Sequence, residues 1–228
     1  MKIGLIGAGR LGICLALLIE QEGYHVIASD VREDYIKDLQ NKKINSTEPQ
    51  VQELLEHSIN LEFTTDNRKV IRESDVIFTL VQTPSLEDGS YDVSAVWKVV
   101  EDIKQEMSSI ANYPKSFVVG CTTNPGDCDQ FKDALPESVD VYYNPEFIAQ
   151  GSIVDDLRHA DMVLLGGKGQ HSGALEMIYY QIQNGFKVAN VSTMSARAAE
   201  LTKIAVNCYL TTKITYANQV GQVMIRDG

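Results

Sequence analysis

The sequence is short of cysteine, histidine and positive charge. It contains four cysteines without a C-x-x-C pair and four histidines without H-E-x-x-H or another ligand spacing. We therefore expect no metal site and no disulfide framework, but reduced thiols in a cytoplasmic protein. Twenty basic residues against 31 acidic ones give a formal charge of −11, which argues against nucleic acid or an anionic membrane as a partner.

Long apolar runs are missing as well. None of the stretches is long enough to cross a bilayer, so we expect no membrane partner. Met1 leads directly into a predicted strand, so we also expect no signal peptide. What the chain does contain is 228 residues, 44% of them hydrophobic, which can bury a substantial core in one large domain or one and a half.

A glycine-rich turn near the amino terminus is the most informative motif. A predicted strand over residues 2–6 leads into G-x-G-x-x-G at residues 7–12, which opens a predicted helix over residues 11–22. In a dinucleotide-binding βαβ unit the glycines allow a tight turn, backbone approach to a pyrophosphate, and close packing of helix on sheet. A turn of purely structural use is the alternative, but each flanking element is the one that dinucleotide binding needs. The residues assigned to the cofactor here are Gly7, Gly9, Arg10, Leu11 and Gly12.

A second predicted strand, over residues 25–29, ends just before Asp30. A carboxylate about twenty residues after the glycine motif can accept hydrogen bonds from both ribose hydroxyls and repel a 2′-phosphate, so Asp30 predicts NAD rather than NADP. Arg32 is the opposing signal, since an arginine at this place could meet a 2′-phosphate. For that, Asp30 would first have to be neutralised or turned away.

Strands and helices continue to alternate after Asp30, which predicts a parallel sheet with helices on both faces. Further helices are predicted over residues 33–41, 50–56, 67–73, 94–107, 129–135 and 173–183, and strands over residues 61–64, 76–81, 116–120, 139–143, 162–165 and 187–191. The fold class is therefore α/β, a Rossmann-like doubly wound parallel sheet followed by a long C-terminal helix.

Three loops follow predicted strand ends. At the carboxyl edge of an open parallel sheet such loops bind ligands. Thr83, Thr122 and Glu146 each stand at or just past a strand end, which makes them candidate site residues. The prolines and glycines beside them need only shape the turns.

The last helical pattern runs from roughly residue 194 to 226, about 50 Å at 1.5 Å per residue. Between residues 198 and 225 its only charges are Glu200, Lys203 and Lys213, so we expect burial on most sides, against the sheet, a further domain or a second subunit. Glu200, Lys203, Asn207 and Thr211 fall on one stripe, which we interpret as the wall of a site. The alternative is an exposed polar face with a Glu–Lys pair, but the helix lacks the charge density of a solvated face.

We accordingly divide the chain into a nucleotide-binding domain over residues 1–192 and a connecting or dimerising helix over residues 193–228.

Together these motifs resemble the UDP-glucose/GDP-mannose dehydrogenase family, NAD-dependent enzymes that oxidise a sugar nucleotide from alcohol to carboxylic acid. The resemblance extends along the whole chain and rests on short patterns that occur in the family's order. The patterns are the glycine motif with Asp30, Glu48-Pro49, Thr83-Pro84 with Asp88-Gly89, Thr122 with Pro125-Gly126, Asn144-Pro145-Glu146-Phe147 with Gly151, and Glu200-x-x-Lys203-x-x-x-Asn207 with Lys213-Ile214 and Asn218.

The resemblance implies roles for the matching residues. Thr83 would contact the cofactor, and Thr122 would lie between the nicotinamide and the substrate. Glu146 matches the family's loop carboxylate, which serves in proton transfer or in hydrolysis of an intermediate. Lys203 and Asn207 match its helix pair, and both can donate to an oxygen that gains negative charge as hydride leaves its carbon. Catalytic roles are therefore expected for Lys203, Asn207, Thr122 and Glu146, and substrate contacts for Glu146, Phe147, Gln150, Lys203 and Asn207.

Departures from the family pattern bear on activity. The family completes its second oxidation with a nucleophilic cysteine in a glycine-rich loop beyond the long helix, and this chain contains no such loop. We therefore expect the isolated chain to be catalytically incomplete, inactive or weak. Gln150 also stands where many relatives carry a second glutamate. Cys121 beside Thr122 is a conceivable nucleophile, but a buried strand-end thiol is the preferred interpretation because no activating base or cation is identifiable nearby.

Two other interpretations are kept. A two-electron dehydrogenase similar to the β-hydroxyacid dehydrogenases needs no cysteine and also sets a lysine and an asparagine one turn apart after a Rossmann domain. The loop from Asn144 to Gly151 argues against it. A non-catalytic NAD(H)-binding module would pair with another chain through the long helix, whose apolar surface needs a partner. The preferred hypothesis predicts NAD as cofactor, a sugar nucleotide as substrate and a homodimer through the C-terminal helix.

Overall fold

The computed structural model describes residues 1–109, 113–148, 151–183 and 190–227. The strands in these ranges are β1 Lys2–Ile6, β2 His25–Ser29, β3 Leu61–Thr64, β4 Val76–Thr79, β5 Lys115–Val119, β6 Val139–Tyr143, β7 Met162–Gly166 and β8 Asn190–Met194. The helices are α1 Arg10–Gln21, α2 Glu33–Gln40, α3 Val51–His57, α4 Asn67–Glu73, α5 Ser94–Ser109, α6 Asp127–Ala134, α7 Ile153–Arg158, α8 Ser172–Ile182 and α9 Ala196–Asp227.

The strands form one sheet in the order β3-β2-β1-β4-β5-β6-β7-β8. Neighbours from β1 to β6 are parallel, and β7 and β8 are parallel to each other, but β7 meets β6 antiparallel through Tyr143 and Gly166. The Rossmann-like, doubly wound prediction is confirmed, except that the sheet is not parallel throughout. The reversal follows the six-residue α7.

Helices cover both faces of the sheet, and each face has its own apolar core. One core joins α1, α2, α3, α7 and α8 to the sheet, and the other joins α4, α5, α6 and the start of α9. In β5, Phe117 and Val119 enter the second core while Val118 enters the first. Such burial on both sides explains why the central strands are continuous apolar runs rather than alternating ones.

Some boundaries depart from the sequence pattern. The helix α7 is not predicted, because six residues are too few to establish a helical period, although Ile153, Val154 and Leu157 are buried on one side. The helix α6 begins two residues earlier than predicted, directly after Gly126, whose φ is +100°. The strand predicted over residues 187–191 falls partly outside the described residues, and β8 begins at Asn190.

The long helix α9 is present but largely uncovered. Its start packs tightly on β7, where a Cβ on Gly166 would lie 2.7 Å from the Cβ of Ala199. Beyond the first turns its apolar side chains face solvent: Ile214 is 61% exposed, Tyr216 70% and Ile225 84%. The sheet covers only the start of the helix, because about 48 Å of helix extends well beyond strands of about 16 Å, so burial by a further domain or a second subunit stays a prediction. None of the described helices has the length and hydropathy for a bilayer span.

Candidate functional site

The glycine turn between β1 and α1 lies at the carboxyl edge of the sheet. Gly7 has a φ of +99°, and a Cβ there would lie 2.5 Å from the carbonyl oxygen of Leu80. A Cβ on Gly12 would collide with the carbonyl oxygen of Gly7. The protein's own backbone thus requires glycine at both positions. Gly9 differs, because a Cβ there would meet no described atom within 4 Å, which leaves room for a ligand.

The amino terminus of α1 is open at this point. Its N-cap is Gly9, which has no side chain to cap it, and its first turn holds no acidic residue. Arg10 lies on the exposed side, with its Nε 3.8 Å from Glu48, while Leu11 is half-buried. Backbone N–H groups and the positive end of a helix dipole bind a pyrophosphate well. The residues present therefore fit the cofactor that the motif predicts.

Asp30 lies beside the turn at the end of β2. The connection is direct, because the N–H groups of Gly7 and Ala8 donate to the carbonyl oxygen of Ser29 at 2.9 and 2.8 Å. Arg32 holds the Asp30 carboxylate with two bonds of 2.8 Å, from Nε to Oδ1 and from Nη2 to Oδ2. Burial opposes ionisation, but the bonds and charge of Arg32 outweigh it and lower the pKa of Asp30. Arg32 is thus committed to an ion pair with the residue it was expected to oppose.

A cavity of about 200 Å³ opens beside the glycine turn. Its lining residues come from the start of α1, the ends of β4, β5 and β6, and the start of α9; they are Leu11, Leu80, Val81, Gly120, Cys121, Thr122, Glu146 and Lys203. Two of the lining residues pack closely on each other, since a Cβ on Gly120 would lie 2.5 Å from Cδ2 of Leu80. Four of the residues predicted from sequence, distant along the chain, meet here.

Glu146 and Lys203 form the charged part of this cavity. The Lys203 ammonium donates to the main-chain carbonyl of Glu146 and lies 4.8 Å from the centre of the Phe147 ring. Burial raises the pKa of Glu146 to about 7, although Lys203 opposes the shift. Burial also lowers the pKa of Lys203, although Glu146 opposes that shift. A carboxyl that titrates near neutrality beside a desolvated amine is suited to proton transfer.

Asn144 fixes the loop that carries Glu146. Its backbone N–H donates to Val119 at 2.8 Å, and its Nδ2 donates to the carbonyl oxygen of Leu164 at 3.0 Å. Its Oδ1 accepts from the hydroxyl of Tyr179. Because one buried amide joins β5, β7 and α8, the carboxyl two residues further on is held in place.

The remaining predicted residues do not all lie in this small cavity. A larger cavity of about 510 Å³ is lined by Glu146, Phe147, Lys203 and Asn207 among others, so Asn207 shares this space with Lys203 but does not reach the smaller cavity. Thr83 lies four residues past β4 and is not among the residues lining either cavity. Gln150 lies outside the described residues.

The polar stripe on α9 does not form a single wall. Glu200 is fully buried and accepts hydrogen bonds from Thr123 Oγ1 at 3.0 Å and from the N–H groups of Gly126 and Cys128 at 2.6 and 2.9 Å. Its carboxylate therefore caps the amino terminus of α6. Thr211 is exposed and bonds to its own helix. Of the stripe, Lys203 and Asn207 alone line the two cavities described above.

Glu48 is a second glutamate that caps a helix, although sequence analysis assigned it no role beyond its place in the Glu48-Pro49 pattern of the family resemblance. Glu48 is buried and accepts from the N–H of Gly151 at 2.9 and 3.0 Å and from that of Ile153 at 3.2 Å, at the start of α7. It thereby ties the loop after Glu146 to the region beside the glycine turn. A single acid in a loop was the only sequence feature that could have indicated this role. It was insufficient, because the N–H groups that it binds lie about a hundred residues further along the chain.

Three of the cysteines are poor nucleophiles because their thiols have a raised pKa. Burial raises the pKa of Cys14 and of Cys121 to about 12, and raises that of Cys128 further. Cys208 is exposed on α9. Cys121 lines the small cavity, yet its thiol is protonated at neutral pH, in agreement with the interpretation as a strand-end thiol. Among the described residues no cluster of His, Cys, Asp or Glu is arranged to hold a metal ion.

An open helix terminus at a glycine turn, followed by an acid at the end of the second strand, defines the chain as a dinucleotide-binding domain. Residues 1–183 match the model of the UDP-glucose/GDP-mannose dehydrogenase family, NAD binding domain. The chain belongs to this family, and its cofactor is NAD.

The relatives agree with this assignment. The chain is 30% identical over 238 residues to the UDP-glucose 6-dehydrogenase of Rickettsia prowazekii, with 100% of this chain and 53% of that protein covered. It is 31% identical over 227 residues to an uncharacterised protein of Methanocaldococcus jannaschii, covering 98% and 25%. The solved UDP-glucose dehydrogenase of Pyrobaculum islandicum matches with a TM-score of 0.85 and 25% identity, covering 96% and 52%. The chain thus spans about half the length of these two dehydrogenases and a quarter of the Methanocaldococcus jannaschii protein.

Proposed function

We propose that this chain supplies the NAD-binding half and part of the catalytic machinery for oxidation of a CH–OH group in a nucleotide sugar such as UDP-glucose. One observation carries the proposal. Glu146 and Lys203 meet in a cavity that also contains Leu11 of the glycine turn and Thr122 at the end of β5. An acid–base pair is thereby brought next to the site that binds the cofactor.

The proposed chemistry follows from these positions. NAD, when bound, supplies the hydride acceptor. Lys203 and Asn207 donate hydrogen bonds to the substrate oxygen that gains negative charge, and their shared cavity supports this role. Glu146 accepts or returns the proton, since its pKa near 7 suits either direction. Thr122 orients the reacting oxygen. Proposed contacts beyond these are Thr83 to the cofactor and Phe147 and Gln150 to the substrate.

Lys203 can keep its present partner during this chemistry. Its ammonium now donates to the main-chain carbonyl of Glu146. A substrate oxygen entering the larger cavity can share that ammonium, since lysine has three donors. The carbonyl then holds the amine at the site while the other donors face the substrate.

We further propose that these 228 residues alone do not complete the four-electron oxidation. A second oxidation through a covalent intermediate needs a reactive thiolate. The cysteines whose pKa is shifted are all shifted upward, and Cys208 lies on the exposed part of α9.

The cofactor site is tested by titrating NADH fluorescence with the chain and with Gly9→Ala. Since the added methyl group enters open space, we expect unchanged thermal unfolding but NADH affinity at least tenfold weaker. Gly173→Ala is the matched control, because its Cβ also meets open space, on α8, and should leave affinity unchanged. Equal affinity of Gly9→Ala and the parent chain would contradict the proposed site.

The substrate is tested by NADH formation with UDP-glucose and with 3-hydroxy acids. We expect slow or absent turnover of UDP-glucose by the chain alone. Robust four-electron turnover would refute the proposed incompleteness. Faster oxidation of a 3-hydroxy acid would instead support the β-hydroxyacid alternative, which the neighbouring Lys203 and Asn207 also suit. NADH binding without turnover of either class, in this chain and in one joined to the carboxyl-terminal half of a full-length relative, would favour the non-catalytic module.

We also propose that residues 1–192 act as the nucleotide-binding domain and residues 193–228 as a dimerising helix. The support is the row of exposed apolar side chains on α9, which are Tyr209, Leu210, Ile214, Tyr216, Val220, Val223, Met224 and Ile225. A second copy of the helix would cover them. The buried, protonated thiols also suit the proposed cytoplasmic location.

A further inference from the structure

The ribose end of the dinucleotide site contains both groups by which such sites distinguish their cofactors. Carboxylates at this position favour NAD, and arginines accommodate the 2′-phosphate of NADP. Here Asp30 and Arg32 are bonded to each other, with the guanidinium on the solvent side: its side chain is 56% exposed against 9% for Asp30. The arginine is thus available to a ligand, while the acid is its inner partner.

The guanidinium is held in one orientation. Besides the two 2.8 Å bonds from its side chain, the backbone N–H of Arg32 donates to Asp30 Oδ1 at 3.1 Å. The ring of Tyr35, one turn into α2, lies 4.1 Å below the guanidinium carbon. An arginine stacked on an aromatic ring and bonded along one edge is preorganised, so little side-chain entropy remains to be lost when another anion binds.

The two bonds to Asp30 occupy two of the five guanidinium donors. The others are not used by that pair, but the negative charge of Asp30 lies close to any anion that they would hold. A 2′-phosphate is thus attracted by Arg32 and repelled by Asp30. A ribose hydroxyl is tolerated by both, since each carboxylate oxygen can accept more than one hydrogen bond.

We propose that Arg32 is a latent 2′-phosphate-binding residue: Asp30 sets the preference of this chain for NAD over NADP, both by its own charge and by holding the guanidinium in an ion pair. Removing the acid frees the donors of a guanidinium that is still stacked on Tyr35, and reverses the preference. The proposal rests on the dinucleotide site proposed above and identifies what sets its specificity.

The experiment measures dissociation constants for NADH and NADPH by nucleotide fluorescence, in the chain and in Asp30→Ser, Arg32→Ala and the double variant. We expect Asp30→Ser to bind NADPH at least tenfold more tightly than the parent does, and NADH about tenfold more weakly. The double variant should lose the gain in NADPH affinity. Arg32→Ala alone should change NADH affinity less than threefold and should not improve NADPH binding.

Two controls isolate the residue pair. Lys37→Ala in the Asp30→Ser background removes a cation of α2 that pairs with Asp34, and should leave NADPH affinity unchanged. Adenosine 2′,5′-bisphosphate, competing against 5′-AMP, probes the ribose end without the nicotinamide and should show the same reversal. Asp30→Asn, which keeps the side-chain volume, replaces Asp30→Ser if the serine variant fails to fold.

The outcomes separate the two proposals. Failure of the parent chain to bind NADH would overturn the dinucleotide site itself. Binding of NADH by the parent, together with no gain in NADPH affinity on removing Asp30, would overturn only the role of Arg32. A gain that persists in the double variant would also overturn it, since the phosphate would then be held by another group.

Discussion

Two helices begin at the same edge of the sheet, and their amino termini differ: a side-chain carboxylate caps one, and none caps the other. At α6 the Glu200 carboxylate accepts from the N–H groups of Gly126 and Cys128, so the terminus is filled by the protein's own anion. At α1 the N-cap is Gly9, no acid occupies the first turn, and the adjacent space is open. Helix termini attract anions regardless of their source. We infer that the filled terminus stabilises the fold, whereas the empty one is left for the proposed cofactor.

Removing Glu200 tests the filled terminus and should have the largest effect. Glu200→Ala leaves the N–H groups of Gly126 and Cys128 and the buried Thr123 hydroxyl without their acceptor, so we expect a loss of about 3 to 5 kcal/mol in the free energy of unfolding. Denaturant unfolding provides the measurement. Glu176→Ala, an exposed acid on α8, is the control and should change stability by less than about 0.5 kcal/mol. A loss below about 1 kcal/mol for Glu200→Ala would mean that α6 does not depend on the carboxylate.

Filling the empty terminus is the converse test. Gly9→Asp introduces a carboxylate at an N-cap whose backbone is already extended, with φ −65° and ψ −164°. We expect NADH affinity to fall about a hundredfold, equivalent to about 2.7 kcal/mol, while the melting temperature stays equal or rises slightly. Fluorescence titration and thermal unfolding are measured on the same sample. Retained NADH affinity would contradict the view that an empty terminus is the cofactor site.

Glu146 offers a half-buried carboxyl without helix N–H donors, and the pH dependence of stability should reflect that. Its pKa is about 7 in the folded chain against 4.5 for an ordinary glutamate. The folded state therefore holds the proton more tightly, so this contribution to stability is fully present below pH 4.5 and is lost as pH rises through 7.

We expect the loss to amount to about 1 to 2 kcal/mol, given the partial exposure of Glu146. Glu146→Gln should therefore be more stable than the parent at pH 8 by that amount and similar at pH 4.5, measured by denaturant unfolding across this range. Parallel pH profiles of the two proteins would show that the carboxyl does not titrate as described.

The smallest effect is expected on the far part of α9, where neither terminus is involved. Ile214→Lys, at a side chain that is 61% exposed, should change the stability of the monomer by less than about 0.5 kcal/mol. If the helix dimerises as proposed, the same change should shift sedimentation toward the monomer. Thr212→Lys, at an exposed polar position of the same helix, is the control. Parent chain that sediments as a monomer at high concentration would contradict the dimer.

The sequence predicted features that depend on neighbouring residues. The bounds of β3, β6 and α4 agree with the pattern, because apolar runs and caps such as Asp66 are local signals. The glycine turn was recognisable as a motif, although only Gly12 is constrained by a residue near it in the chain, Gly7, whereas Gly7 is constrained by the distant carbonyl oxygen of Leu80. The meeting of Glu146 with Lys203 depended on the topology, which the alternation of elements and the family resemblance together provided.

What the sequence did not predict depends on distant partners. Glu200 was placed on a site wall, but its acceptor role involves residues 72 to 77 positions earlier. Glu48 and its partners Gly151 and Ile153 are separated by more than a hundred residues. No local residue pattern indicates the reversal of β7 or the short α7. An acid in an otherwise apolar helix was the one visible clue to Glu200.

The helix α9 continues without interruption from Ala196 to Asp227, so a displacement at one end is transmitted to the other. Lys203 stands near the base of this helix and Ile225 near its distal end, about 33 Å apart along one axis. Glu200 fixes the base to α6. If a second copy holds the distal part as proposed, the tilt that it imposes on the helix would set the position of the Lys203 ammonium in the cavity.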